Sequence, residues 1–299
     1  LAVPGLLSSH SSFNEKFRRP IEAGRSPDLL NLLHSLIAPF VLRRTKEEVA
    51  PELPERVETL LPVPLGRKQR QIYDRYLTRE RARLLHLELE NDTRERFEVL
   101  AALTRLRQLS LDPALVDQRY DSVGSAKIDL LCEHLEQILP LGHKVLVFSQ
   151  FVAFLERIRR SLDQRGIVSL LLEGKTRNRH AVIDEFQHGD VQVFLISLKA
   201  GGVGLTLTQA DYVYMMDPWW NPSVEAQAVN RAHRIGQDRR VNVYRLVAQD
   251  TIEEKVCQLQ AHKQLLVDSV VGQNLGEGRS STDIQQLLKL IQEDRDGRV

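Results

Sequence analysis

Cysteine is almost missing from this chain: Cys132 and Cys257 are the only two in 299 residues, far apart and each inside an apolar helical pattern. That excludes a disulfide framework and a cysteine-based metal site, and it reads as two buried free thiols in a reducing compartment. Long apolar runs are absent as well. None approaches the roughly 18 residues of a membrane span, and Leu1 to His10 lacks the basic-then-apolar order of a secretion signal. A bias of charge is missing too. The 41 Lys and Arg nearly balance 40 Asp and Glu, so any basic surface must come from local clustering. The start carries no Met and lies within an apolar segment, as expected of a piece of a longer protein. The expected location is the cytoplasm, at a bacterial nucleoid, or the nucleus in a eukaryote.

What is present is ordinary globular material. Hydrophobic residues at 42% and charged residues at 27% are near the averages for soluble domains. From Ser125 onward helix-like and strand-like segments alternate. The predicted helices are Ser125 to Leu139, Val152 to Gln164, Arg179 to Gln187 and Pro222 to Arg234. The predicted strands are Lys144 to Phe148, Val168 to Leu172, Val191 to Ser197, Tyr212 to Met216 and Val241 to Val247. This alternation implies a mostly parallel α/β sheet covered by helices. Leu65 to about Leu109 has no strand-like alternation and reads as long amphipathic helices, a mainly helical subdomain. Five prolines between Ala38 and Pro64 interrupt a basic segment and predict an ordered linker. The tail predicts a helix from about Thr251 to Val271 and a short one from Asp283 to Gln292.

Three motifs bear on chemistry. On the helix predicted from Pro222, Gln227, Asn230, Arg231 and Arg234 stand three and four apart, which puts two guanidinium groups on one stripe. Phosphates are the partner that Arg geometry suits best. The same spacing also fits a solvated face with two surface arginines. The helix starts after a strand, where ligands of open α/β sheets gather. The second motif, Ser197-Leu-Lys-Ala-Gly-Gly-Val-Gly-Leu-Thr206, sets glycines after a buried strand, where backbone amides could approach an anion or simply make a tight turn. It has no third glycine in the dinucleotide register. The third, Gly174-Lys-Thr176, lacks the earlier glycine of a phosphate loop, so Lys175, Thr176, Arg177 and Arg179 read as a basic turn or a solvated charged loop. His180 and His233 have no second ligand at metal spacing.

Taken in order, these segments resemble the Swi/Snf branch of the superfamily 2 helicases. Lys144-Val-Leu-Val-Phe-Ser-Gln-Phe151, Leu172-Glu-Gly-Lys-Thr176, Leu195 to Thr206, Asp217-Pro-Trp-Trp-Asn-Pro222 and Gln227-Ala-Val-Asn-Arg-Ala-His-Arg-Ile-Gly-Gln237 are similar to its rear-lobe motifs. Phe40-Val-Leu-Arg-Arg-Thr-Lys-Glu-Glu-Val49 and Gln69-Arg-Gln-Ile-Tyr73 look like the segment joining the lobes, and Ile252-Glu-Glu-Lys255 like the brace that follows. The resemblance divides the chain into the tail of a front lobe (1–38), an interlobe linker (39–64), a helical insertion (65–120), a RecA-like rear lobe (121–248) and brace helices with a tail (249–299).

The resemblance implies a double-stranded-DNA translocase that remodels DNA-bound proteins. Arg231 and Arg234 would be arginine fingers, and Gln227, Gly202 and Gly204 would order the nucleotide. Ser149, Gln150, Lys175, Thr176, Arg177, Ser197, Lys199 and Thr206 would follow the DNA backbone. ATP and Mg2+ would be held mainly by the front lobe, the partner of this half along with duplex DNA. No Gly-x-x-x-x-Gly-Lys-Thr loop and no Asp-Glu-x-His-type magnesium site occurs in the 299 residues, so the chain alone is expected not to hydrolyse ATP. A strand-separating helicase lobe and a non-catalytic DNA-binding module are the alternatives.

Overall fold

The computed structural model of the chain describes residues 7, 9–22, 27–40, 50, 52–84, 93–200, 205–260 and 291. Most of the basic segment Phe40 to Val49 and the predicted tail helices beyond residue 260 therefore lie outside the described residues, Ile291 excepted. The chain divides into two compact units, residues 1–51 with 259–278, and residues 52–258 with 279–299. In the first, the helix Pro27–Ile37 contributes Leu33 to a small apolar cluster with Ile21, Phe13 and Phe17.

The second unit is built on one parallel sheet. Its strands are β1 (Arg56–Val63), β2 (Val145–Ser149), β3 (Ser169–Leu172), β4 (Val193–Ser197), β5 (Tyr212–Met215) and β6 (Val241–Ala248), in the order β1-β6-β5-β2-β4-β3. Every pairing is parallel. The central strands β2 and β4, Val-Leu-Val-Phe-Ser and Val-Phe-Leu-Ile-Ser, are buried at every position. Continuous apolar runs are what a parallel strand covered on both faces requires. One face packs on α3 (Ala126–Ile138) and α4 (Val152–Gln164) through Leu131, Leu135, Phe154 and Ile158. The other packs on α5 (Arg179–His188), α6 (Pro222–Val229) and the segment before β5, through Phe186, Val229 and Leu207. The α/β class read from the sequence is the observed one.

Two readings need correction. Residues 56–63 are not linker but the edge strand β1, in register with β6 from Arg56↔Val241 to Val63↔Ala248. The prolines were read as marks of an ordered linker, yet Pro62 is tolerated in a strand because an edge strand leaves one row of amides unpaired. The alternation that marks a strand was present, with Arg56, Glu58, Leu60 and Pro62 exposed and Val57, Thr59 and Leu61 half-buried. The compact unit that holds the sheet begins at residue 52. The second correction concerns α6, which stops at Val229 rather than Arg234.

The helical subdomain is the pair α1 (Arg67–Leu84) and α2 (Thr93–Leu111). Gln69 ties it to the sheet. Its side-chain amide donates to the carbonyls of Leu109, Ser110 and Leu111 at 3.1, 3.2 and 3.4 Å, and its oxygen accepts from the Ala126 amide. One buried side chain thus satisfies the open carbonyl end of α2 and reaches the start of α3. The Tyr73 hydroxyl, on the next turn of α1, accepts from the Ile252 amide at 2.7 Å.

Beneath this joint lies Lys127, whose ammonium is fully buried. It donates to the Met216 and Leu246 carbonyls at 2.6 and 2.8 Å and to the Glu253 carboxylate at 2.6 Å. Glu253 also accepts from the Ala248 amide at 2.9 Å. Burial pushes the Glu253 carboxyl above its ordinary range, and Lys127 pulls it back. A buried pair that loses one partner leaves the other uncompensated, at a cost of about 3–5 kcal/mol. Lys127→Ala should therefore lose roughly that much stability in urea denaturation, and Lys127→Met with Glu253→Leu should recover most of it. A single-variant loss below about 1 kcal/mol would show the pair to be dispensable.

Candidate functional site

Because all six strands run the same way, the residues that follow them open onto one edge of the sheet. Ser149 and Ser197 face each other there as register partners of β2 and β4, and both are buried. The Ser149 hydroxyl accepts from the Phe151 amide at 3.1 Å, and its carbonyl accepts from Leu198 at 3.0 Å. The Gln150 amide donates to the Asp217 carboxylate at 3.2 Å, while its buried side-chain nitrogen has no hydrogen-bond partner among the described residues. Beyond the neighbouring strands β3 and β4, Lys175, Arg177 and Lys199 are exposed. Thr176 is half-buried and spends its hydroxyl on the Glu173 amide at 3.0 Å, closing the turn. The edge therefore offers exposed cations above a buried pair of serines.

The arginine segment lies elsewhere. Asn221 caps α6 by accepting from the Ser223 amide at 3.0 Å, with Pro222 in the first turn, as the sequence predicts. After Val229 the backbone tightens: Arg231 donates to Ala228, Ala232 to Val229, Arg234 to Ala232 and Gln237 to Arg234. Gly236 takes a φ of +97°, a backbone that favours glycine. The Gln237 amide nitrogen clamps the carbonyls of Ala210 and Ala232 at 2.9 and 3.1 Å.

The single helical stripe is thus broken. Arg231 is buried, at 8% exposure, whereas Arg234 and Gln227 are exposed. Nor do the arginines stand where α6 starts, beside β5's carboxyl end. They lie in the turn leading to the amino end of β6, next to residues 205–211. Leu207 donates to the Arg231 carbonyl at 2.9 Å, and Arg234 donates to the Thr206 hydroxyl at 3.3 Å. Thr206, expected with the DNA-facing residues, belongs by position to this second cluster, where its carbonyl also accepts from Gln187 at 2.7 Å. Gly202 and Gly204 lie outside the described residues.

Arg231 is the unusual member. Its Nε has no hydrogen-bond partner among the described residues, and desolvation alone draws its guanidinium below the ordinary value, with no carboxylate opposing it. A buried arginine without an anion is costly, which makes Arg231 a candidate contact for one. His233, between the two arginines, donates a hydrogen bond from Nε2 to the Pro54 carbonyl at 2.8 Å, anchoring the turn to the chain just before β1.

Sequence reasoning missed the acidic and basic residues that hold these loops. Glu225 accepts from the Trp219 amide and from Arg245, both at 2.6 Å, and Arg245 pairs with Glu58 at 3.0 Å. Its one available signal was an acidic residue among the apolar neighbours of α6. Among the described residues no group of three or more His, Cys, Asp and Glu could hold a metal ion, and no helix is long and apolar enough to cross a membrane. Cys132 is buried and Cys257 half-buried, both free, with burial pushing the Cys257 thiol up to about 12.

Two family models match the chain, the helicase conserved C-terminal domain over residues 126–236 and the SNF2-related domain over residues 1–115. An uncharacterized ATP-dependent helicase of Mycoplasma pneumoniae is 34% identical over 293 residues, covering 97% of this chain. The SWI2/SNF2 ATPase core of Sulfolobus solfataricus, solved in complex with double-stranded DNA, is 30% identical and superposes with a TM-score of 0.61 over 95% of this chain and 61% of that one. The chain belongs to the Swi/Snf family.

The C-terminal part of the Fun30 ATPase domain shares 27% identity and a TM-score of 0.63, over 80% of this chain and 99% of that one. The sheet and its helices are therefore the family's RecA-like architecture. This Swi/Snf chain spans 27% of the Mycoplasma relative's length. Arg231 and Arg234 fall within the helicase C-terminal match. Their environments predict opposite behaviour in denaturation. Arg231→Met, which removes a desolvated charge and keeps the bulk, should leave stability unchanged or raise it by about 1 kcal/mol. Arg234→Ala should shift it by no more than about 0.5 kcal/mol. A loss above about 2 kcal/mol in Arg231→Met would make Arg231 a structural residue of the core.

Proposed function

We propose that this chain is the rear part of an ATP-driven translocase on double-stranded DNA that displaces or remodels DNA-bound proteins. The observation that carries the reading is Arg231, a buried guanidinium without an anion among the described residues, beside the exposed Arg234. A γ-phosphate presented by the front lobe of the longer protein supplies that anion. Arginines so placed meet the charge that develops on the phosphoryl group in the transition state, an effect worth about 10³ to 10⁵ in rate. Gln227, exposed on α6 one turn before Arg231, orders the nucleotide. Gly202 and Gly204 assist it.

The buried, unpaired Arg231 fits a phosphate, whereas no acidic cluster among the described residues fits magnesium. ATP and Mg2+ are held mainly by the front lobe, and this chain alone does not turn ATP over. When bound, Mg2+ neutralises phosphate charge. This chain's part is to close the site with its arginines.

The cluster at the carboxyl edge of the sheet is the DNA track. Lys175, Arg177 and Lys199 on the carboxyl edge meet backbone phosphates, with Ser149, Gln150, Thr176 and Ser197 beneath them and Thr206 linking the track to the arginine turn. Such contacts fix position without reading sequence, so binding is sequence-indifferent and salt-sensitive. The Sulfolobus relative was solved with double-stranded DNA, which supports a duplex ligand here. The protein then works at a bacterial nucleoid, or in a nucleus if its source is eukaryotic.

ATP hydrolysis by the longer protein, measured with duplex, with single strands and without DNA, tests the reading. Stimulation mainly by duplex is expected, and no turnover under any condition overturns it. Arg231→Ala and Arg234→Ala should each lower duplex-stimulated turnover by about 10³ or more. Unchanged rates in both would remove the finger assignment. Lys199→Ala should reduce the slope of log binding constant against log salt by about 1, whereas an unaltered slope would return Lys199 to the plain surface.

A further inference from the structure

Arg107 is a cation in the wrong place for an ordinary helix residue. It sits on α2 among the buried Leu103, Leu106 and Leu109 and is itself only 3% exposed. Its guanidinium lies among three aromatic rings, 5.7 Å from the centre of Phe151, 5.8 Å from Trp219 and 5.1 Å from Trp220. It donates to the Pro218 carbonyl and stands 3.6 Å from the buried Asp217 carboxylate. That same carboxylate receives the Gln150 amide, and Phe151 is the next residue in the chain. Gln150 is therefore fixed from two sides by groups arranged around one side chain, which comes from the helical subdomain and not from the sheet.

We propose that Arg107 is a positioning residue for the DNA track, acting through Asp217 and Phe151 to set Gln150 at the carboxyl edge of β2. The geometry gives each part of the side chain a task. The guanidinium, 3.6 Å from the Asp217 carboxylate, holds in place the acceptor that the Gln150 amide uses. The flat guanidinium stacks on the rings in a way that an ammonium on a flexible stem does not reproduce. The side-chain nitrogen of Gln150, buried without a hydrogen-bond partner among the described residues, is thereby kept ready for an acceptor such as a phosphate oxygen. The inference rests on the DNA-track reading above and deepens it, because it makes the placement of α2 a determinant of how the track grips duplex.

A double-mutant cycle in the longer protein tests it, with binding of a labelled duplex measured by fluorescence anisotropy. Arg107→Met and Gln150→Ala should each weaken binding by roughly tenfold, comparable to losing one charge-assisted hydrogen bond. The double variant should bind within about twofold of Gln150→Ala alone, since Arg107 acts through Gln150. A purely structural Arg107 would instead give additive losses, and that result overturns the inference. If Arg107→Met does not fold, as judged by its melting transition, Arg107→Lys completes the same cycle. If Gln150→Ala binds duplex like the parent, Gln150 leaves the track and the inference falls with it. The arginine-finger reading is then judged separately, by turnover in Arg231→Ala.

Discussion

The structure depends on a buried positive charge placed where strands end. Parallel strands leave carbonyls at their carboxyl ends without ladder partners, and β5 ends at Met215, paired with Arg245 of β6, one residue before Met216 and Leu246. The Lys127 ammonium, delivered by the first turn of α3, binds the Met216 and Leu246 carbonyls and Glu253 at the start of the following helix. Two strand ends and two helices thus meet at a single nitrogen. The joint is dry and stays so because every proton of the ammonium has an acceptor. Gln69 and Tyr73 then attach α1 to the same region, so the subdomain is seated by polar groups as much as by apolar contact.

The organisation of the site follows from that frame. Residues leaving β2, β3 and β4 gather on one edge, and the turn carrying Arg231 and Arg234 lies on the way to the amino end of β6. The two clusters share one sheet but use different parts of it. Thr206 stands between them in sequence and bonds Arg234.

Much of this was legible in the residues. Wholly apolar runs such as Val145–Phe148 announce covered parallel strands, and Asn221-Pro222 announces a helix start. The edge strand was obscured by Pro62, whose missing amide argues against a strand only where both edges are paired. The end of α6 was misread because the i, i+3, i+4 spacing of Gln227, Asn230, Arg231 and Arg234 persists into a tightened turn, while the hydrogen bonds that anchor that turn involve Ala210, Leu207 and Pro54, far away in sequence. The buried ions Lys127, Arg107 and Glu225 are illegible for the same reason. A charged residue in an apolar pattern declares that a partner exists but not where the fold will place it.

The strand β1 carries one further meaning. It lies parallel to β6 over eight register pairs, and its entry is held by Glu55, whose carbonyl accepts from Val241 at 3.1 Å and whose carboxylate pairs with Arg240 at 3.2 Å. A tension applied at its amino end along the strand axis loads the whole ladder in shear, so that the bonds must give together instead of peeling one after another. The first residues to feel that tension are Pro54 and Glu55, which touch His233 and Arg240 on either side of Gly236. The entry to β1 is in this sense a mechanical grip whose first contacts are with the arginine-bearing turn.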